Sequence, residues 1–178
     1  MSDDRERDAA LARAVRLREQ GHPGQARERL VELAERYPED AEVAYQTAWV
    51  HDSLGLETEA VPFYERALGG TGLSPDDRHG AFLGLGSTHR ILGSYGAAVR
   101  ILRGGLEEFP DDPALHAFLA MALYSDGDAR EAVRLLLKTL TATSDDRRVR
   151  EYRRAIEYYA DDLDGVHEAH EGEQEEAG

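Results

Sequence analysis

The sequence predicts an all-α chain of about four stacked helical hairpins with one further helix behind them. Three recurrences carry that expectation. Ala26, Ala60, Ala98 and Ala132 each open an apolar-periodic segment, at a step of about 34 residues that lengthens once, between the second and the third. Gly21, Gly55, Gly93 and Gly127 precede them at the same steps, each where a turn is needed between two helices. The junctions also repeat: YPED ends at Asp40, SPDD at Asp77, FPDD at Asp112 and TSDD at Asp146. A carboxylate there satisfies free backbone donors and meets the positive end of the next helix, so these four residues are the expected N-caps.

Taken in order, residues 6–20 and 23–36 form the first hairpin, with Leu11, Ala14, Leu17, Leu30 and Leu33 inward. The second uses 41–54 and 57–68 and is expected to bury Ala44, Ala48, Leu54, Ala60, Tyr64 and Leu68, with Pro62 near its first turn. In the third, Phe82, Leu85, Gly86 and His89 share one side of the first helix, and Ala97, Ala98, Ile101, Leu102 and Gly105 one side of the second. Pro110 ends it at Phe109. Gly86 and Ala98 are placed at the crossing, where small residues let two backbones approach. Residues 113–125 and 128–142 form the fourth, through Leu115, Leu119, Ala120, Leu123, Ala132, Leu135 and Leu136. A last helix, 146–160, carries a stripe of Val149, Tyr152, Ile156 and Tyr159 and is expected to cover the end of the stack. The units are thus about 6–38, 41–74, 78–111 and 113–144, and the repeat domain is 1–160.

Residues 161–178 hold eight acids and no lysine or arginine, and read as an acidic, disordered tail. They supply eight of the 15 net negative charges, leaving −7 for the rest. A chain of this sign repels phosphate backbones and anionic membranes, so neither nucleic acid nor membrane is an expected partner. Cysteine is absent, which removes disulfides, thiol nucleophiles and thiolate metal sites. The opening stretch is too charged for a signal peptide, and no apolar run approaches the roughly 18 residues that a membrane span needs, so a cytoplasmic location is expected.

Candidates for chemistry are few. His167, Glu168, His170 and Glu171 resemble a metal cluster but miss the HExxH spacing by one residue, and they lie in a solvated tail. The paired aspartates recur at every junction as helix caps. His51 and His89 occupy equivalent places and read as packing residues. No GxSxG, GxxxxGK[ST] or GxGxxG occurs, and Gly84, Gly86 and Gly93 sit within or at the end of a helix rather than in a phosphate-binding loop. Neither catalytic residues, a metal nor a cofactor is expected. Arg147, Arg148, Arg150, Arg153 and Arg154 are either the wet face of the last helix or a site for an acidic partner, the chain's own tail included.

A two-helix unit of about 34 residues, with a small residue at the crossing, alanine opening the second helix and proline closing it, resembles the tetratricopeptide repeat (TPR) family. The third unit carries the resemblance best, through Leu85, Gly86, Ala98, Leu102 and Pro110. The chain is similar to small stand-alone bacterial members. It departs at the aromatic that begins each first helix, replaced by Ala10, Ala44 and His116 beside Phe82, and at Ser144, where a proline is usual.

The resemblance implies a right-handed α-solenoid whose first helices line a concave groove for an extended peptide or a partner helix. On this chain the groove positions are Leu11, Val15 and Arg18; Tyr45, Trp49 and Asp52; Leu83, Ser87 and Arg90; and Ala117, Met121 and Tyr124. The implied function is a non-catalytic scaffold or adaptor binding a protein or peptide. Trp49 is either the anchor of that groove or a packing residue between units two and three. The lysines and asparagines usual where such domains clamp a peptide C-terminus are missing, so chaperone-tail binding is not expected. The alternative is self-association into a homodimer through Tyr152, Ile156 and Tyr159 or the exposed first helix.

Overall fold

Glycine sets every hairpin turn. The computed structural model describes residues 2–165. Among these, Gly21, Gly55, Gly93 and Gly127 all adopt positive φ, between 70° and 97°, the left-handed conformation in which a Cβ is penalised. Each closes a first helix and releases the chain into a second.

The described residues form nine helices and no strand: α1 (Ser2–Glu19), α2 (Pro23–Arg36), α3 (Ala41–Ser53), α4 (Glu57–Gly69), α5 (Pro75–Ile91), α6 (Tyr95–Glu108), α7 (Pro113–Asp126), α8 (Ala129–Thr143) and α9 (Arg147–Asp161). From α1 to α8, odd-numbered helices are the first of each hairpin and even-numbered ones the second. None of the nine is long and apolar enough to cross a membrane. The expected tail begins at Asp161, and its greater part, with the His167–Glu171 cluster, lies outside the described residues.

The caps follow the sequence with one exception. Asp40 accepts from the Val43 amide at 3.0 Å, Asp112 from Leu115 at 2.8 Å and Asp146 from Arg148 at 2.8 Å. In the third unit the cap is Ser74 rather than Asp77, and the helix starts at Pro75, ahead of the expected start at 78. Ser74 accepts from the Asp77 amide at 3.1 Å and donates its hydroxyl to the Asp77 carboxylate at 3.0 Å. Serine with an acid three positions on and proline in between forms a reciprocal cap that the aspartate alone cannot make. Pro62 sits in the body of α4, beyond the first turn, exposed where its missing donor faces water.

Packing is built from the joints between units. Three buried clusters lie one at each successive joint: Leu11, Leu30 and Val50 between units one and two, Ala48, Tyr64 and Leu85 between two and three, and Phe82, Leu102, Leu115 and Leu119 between three and four. The four marker alanines are all buried in them. A Cβ at Gly86 would lie 2.5 Å from Leu102 Cγ, so the close approach exists, with Leu102 rather than Ala98 as the opposing group. His51 packs as expected, buried, its ring stacked on Phe63 and Nδ1 2.7 Å from the Thr47 carbonyl.

The last joint differs. α5 packs on α3 and α7 on α5, but among the described residues α9 touches α8 alone. It closes the chain on the outer face of α8: Lys138 pairs with Asp161 at 2.5 Å, Arg130 with Asp164 at 3.2 Å, and Thr141 is buried beneath it. One repeat earlier, on α6, the position of Thr141 is held by Glu107, which is exposed. Leu136, expected inside, is therefore 45% exposed, whereas its counterpart Leu102 is 1% exposed. Tyr152 and Tyr159, expected to cover the end, are also exposed, and Val149, Ile156 and Ala160 face α8 instead. Register explains the seat: where α7 buries Leu119, Ala120 and Leu123, α9 has Arg153, Arg154 and Glu157, and placing these in the stack would strip three charges of water. Leu54 is the other expected core residue found exposed, being the C-cap of α3.

Candidate functional site

Between α3 and α5 the first helices spread into an open cleft of about 430 Å³. Tyr45, Trp49 and Asp52 line it from α3, Leu83 and Ser87 from α5. These are five of the sequence-predicted groove residues, brought together because positions four apart on a helix share a face.

Trp49 is 44% exposed, so its indole opens to the cleft and is not sealed between units. It is nonetheless held. The Arg18 guanidinium lies 3.5 Å from the ring centroid, Tyr45 stands 5.9 Å away on its own helix, and Arg18 donates to the Gln46 amide oxygen at 2.6 Å. A cation over an indole face is attracted to the ring's quadrupole, and the hydrogen bond fixes the cation there. Burial lowers the Arg18 pKa, consistent with a charge drawn against an aromatic surface.

The floor is a polar joint. Tyr64 donates to the Asp52 carboxylate at 2.8 Å, and the Thr88 hydroxyl lies 2.9 Å from the same oxygen and 2.8 Å from the Gly84 carbonyl. Burial pushes the Asp52 pKa up, with the Tyr64 and Thr88 hydrogen bonds working against it. Burial and the neighbouring Asp52 charge likewise raise the Tyr64 phenol. The three side chains come from α3, α4 and α5, so this joint fixes the cleft's width. Glycine makes room for it: a Cβ at Gly84 would overlap the Tyr64 ring and one at Gly80 the Tyr45 hydroxyl.

The remaining expected groove residues divide. Val15 lines a neighbouring hollow between α1 and α3, with Arg7, Glu42 and Gln46. Leu11 also borders it but is buried and belongs to the core. Arg90 does not line the Trp49 cleft; it is half-buried, with its Nε enclosed and unbonded. Met121 and Tyr124 are exposed on α7, outside the cleft, and Ala117, half-buried, lies outside it as well. Gly80, Gly84, Tyr64 and Phe118 also line the cleft, beyond the expected set. Of these, Tyr64 falls in the core by periodicity, and nothing local in the sequence marks its bond to Asp52.

A larger hollow of about 560 Å³ lies at the outer side of unit one, ringed by Arg13, Arg29, Glu32 and Arg36 and lacking an aromatic. Among the described residues no three His, Asp or Glu side chains are grouped to hold a metal. The described part of the tail turns its acids to α8, with Asp162 3.6 Å from Arg130, and not to the arginines at 147–154.

Comparison with known proteins gives one sequence match and a set of similar folds. The family profile described as Tetratrico peptide repeat matches residues 41–163. No curated protein sequence matches the chain. Among solved structures, MamA from residue 41 to its end, from Desulfovibrio magneticus RS-1, superposes with a TM-score of 0.62 at 18% identity, covering 89% of this chain and 97% of that one. A further MamA crystal structure gives 0.69 at 17% identity, covering 86% and 78%. The Cut9–Hcn1 hetero-tetramer of the APC/C gives 0.68 at 18% identity over 86% of this chain but 29% of the other. At these identities the similarity is one of fold: a helical-repeat solenoid.

Proposed function

The chain belongs to the tetratricopeptide repeat family, and on that premise we propose that it is a non-catalytic adaptor holding an extended segment of a protein partner in the cleft between α3 and α5. The observation that carries this reading is Trp49: a large aromatic left open to solvent yet immobilised by Arg18 and Tyr45. An anchor fixed before binding loses little side-chain entropy when a partner covers it, which is how a few aromatic positions come to dominate an interface.

The cleft's chemistry defines the ligand. An apolar or aromatic side chain packs on the indole and Leu83, while the Asp52 carboxylate, lining the cleft between Tyr64 and Thr88, accepts from a backbone amide or a basic side chain. The Asp52 carboxylate and the net acidity of the chain favour a segment carrying mixed or positive charge over a wholly acidic one, and Arg18 above the indole can meet an acidic group within a mixed segment.

Trp49 is the only tryptophan, so its emission reports on this site alone. Peptides selected from a random displayed library against the intact protein should shift that emission, and Trp49→Ala should weaken them by about 30-fold or more, the loss of a hot-spot residue. Selected peptides that leave the emission unmoved and bind Trp49→Ala equally well would place recognition elsewhere.

A further inference from the structure

The seat taken by α9 exposes a second surface, at the far end of the stack from unit one. Its first part is on α8. Val133, Leu136 and Leu140 form an exposed row at spacings of three and four, at the positions that Val99, Leu102 and Leu106 occupy beneath α7 in the preceding unit.

The second part is on α9. Ile156 and Ala160 face α8, and Asp161 sits over Lys138 on one side of the α8–α9 junction. At 100° per residue, Lys138 and the Val133–Leu136–Leu140 row lie on opposite sides of that junction on α8, and Asp161 and the pair Tyr152 and Tyr159 on opposite sides of it on α9. The exposed leucines and the two tyrosines therefore open on the same side and form one surface.

The exposed strip of α9 on that side reads Arg148, Tyr152, Ala155, Tyr159 and runs into the C-cap Asp162, at intervals of 4, 3, 4 and 3; all five are exposed, and the Asp162 carboxylate also lies 3.6 Å from Arg130 of α8. It is nearly palindromic about Ala155. Turned end over end, it sets Arg148 against Asp162, tyrosine against tyrosine, and the small alanine against itself. Charge follows the same plan over the whole helix. Residues 147–154 carry five arginines and one acid, whereas 155–164 carry Glu157, Asp161, Asp162 and Asp164 and no base.

We propose that this surface is the interface of a homodimer in which α9 packs antiparallel against the α9 of a second copy, crossing at Ala155, with Val133, Leu136 and Leu140 closing over the flank. An isologous contact demands a patch complementary to itself, and the opposed charge of the two halves of α9 meets that demand in the antiparallel sense only. Parallel pairing places arginines on arginines. A small residue at the crossing lets the helices approach until the tyrosines interlock, and tyrosine is among the residues that carry interface energy.

Sedimentation velocity across a concentration series tests it. The intact chain should be a concentration-dependent dimer. Arg148→Glu and Asp162→Arg should each weaken dimerisation about tenfold, by setting like charges opposite each other. The double variant Arg148→Glu/Asp162→Arg should recover most of the loss, because the swapped pair is again opposite in sign. Recovery also separates lost pairing from a misfolded α9, and far-UV circular dichroism of each variant checks the helix directly. A chain that stays monomeric at every concentration overturns the proposal. So does a dimer indifferent to both single changes, or one that the double change fails to restore.

Discussion

Units three and four carry nearly the same apolar pattern and meet opposite fates. Ala98, Val99 and Leu102 lie buried under α7; of Ala132, Val133 and Leu136, each one repeat further on, only the alanine is buried and the other two are exposed. What separates them is the helix that follows. α7 brings Leu115, Leu119 and Leu123 to the joint, whereas α9 has Arg153, Arg154 and Glu157 along the corresponding face and settles on the outside of α8. A repeat is therefore not buried by its own sequence. Its second helix presents an apolar row, and the next unit decides whether that row is core or surface.

The contrast breaks first at the two leucines. Leu102→Ala should cost about 2–5 kcal/mol in urea unfolding, the penalty of an enclosed cavity, while Leu136→Ala should cost under about 1 kcal/mol in dilute solution. Equal losses would mean that the fourth unit is covered after all.

Next come the glycines of unit three. Gly86→Leu should lower stability by about 1–3 kcal/mol, since its side chain must displace Leu102. Gly104, on α6 at the position of Lys138 in unit four, has only an ordinary 3.7 Å contact awaiting a Cβ. Gly104→Ala should raise stability by about 0.5–1 kcal/mol through reduced chain entropy. Thermal melts distinguish the two, and similar effects at both positions would remove the packing difference inferred between them.

The smallest effects concern charge, and contrast the first joint with the cleft. Arg7 grips Asp40 with two hydrogen bonds of 2.6 and 2.7 Å. Burial opposes the Asp40 charge, yet the Arg7 and Val43 hydrogen bonds hold its pKa below the ordinary carboxylate value. That stabilisation is present above the unfolded pKa, near 4, and is lost as pH falls through the lower folded value. Asp52 runs the other way. Its folded pKa is raised, so it carries a cost at neutral pH that is relieved as pH falls through that raised value toward 4. Between pH 7 and 4, then, the melting temperature of the intact chain should rise relative to Asp52→Asn, while its advantage over Asp40→Asn should hold until pH drops below about 4. Parallel trends in the two variants would show that the two carboxylates do not differ as the geometry requires.

Much of this arrangement is readable from the sequence because the repeat writes it several times. The turn glycines and marker alanines recur at the same series of steps, and the structure places the former at positive φ and the latter in the core. Tyr45, Trp49, Asp52, Leu83 and Ser87 follow from their places on successive first helices and share a cleft. Other features lie beyond local pattern. The Asp52–Thr88 bond spans 36 residues and no periodicity announces it. The cap at Ser74 is hidden because SPDD offers two competent acceptors. The seat of α9 escapes for a subtler reason. Its stripe of Val149, Tyr152, Ile156 and Tyr159 satisfies the helical period by itself, and only superposing it on α7, residue by residue, puts arginines where leucine and alanine belong.

Because the chain contains no cysteine, a single introduced thiol reports on one position without interference. Leu102→Cys and Leu136→Cys, treated in dilute solution with a thiol-specific reagent under native conditions, compare the two joints directly. A stack closed at its third unit and open at its fourth lets the Leu136→Cys thiol react at close to the rate of an unfolded chain. The Leu102→Cys thiol then reacts about 100-fold or more slowly, limited by local opening. Equal protection at both positions in the monomer would contradict it.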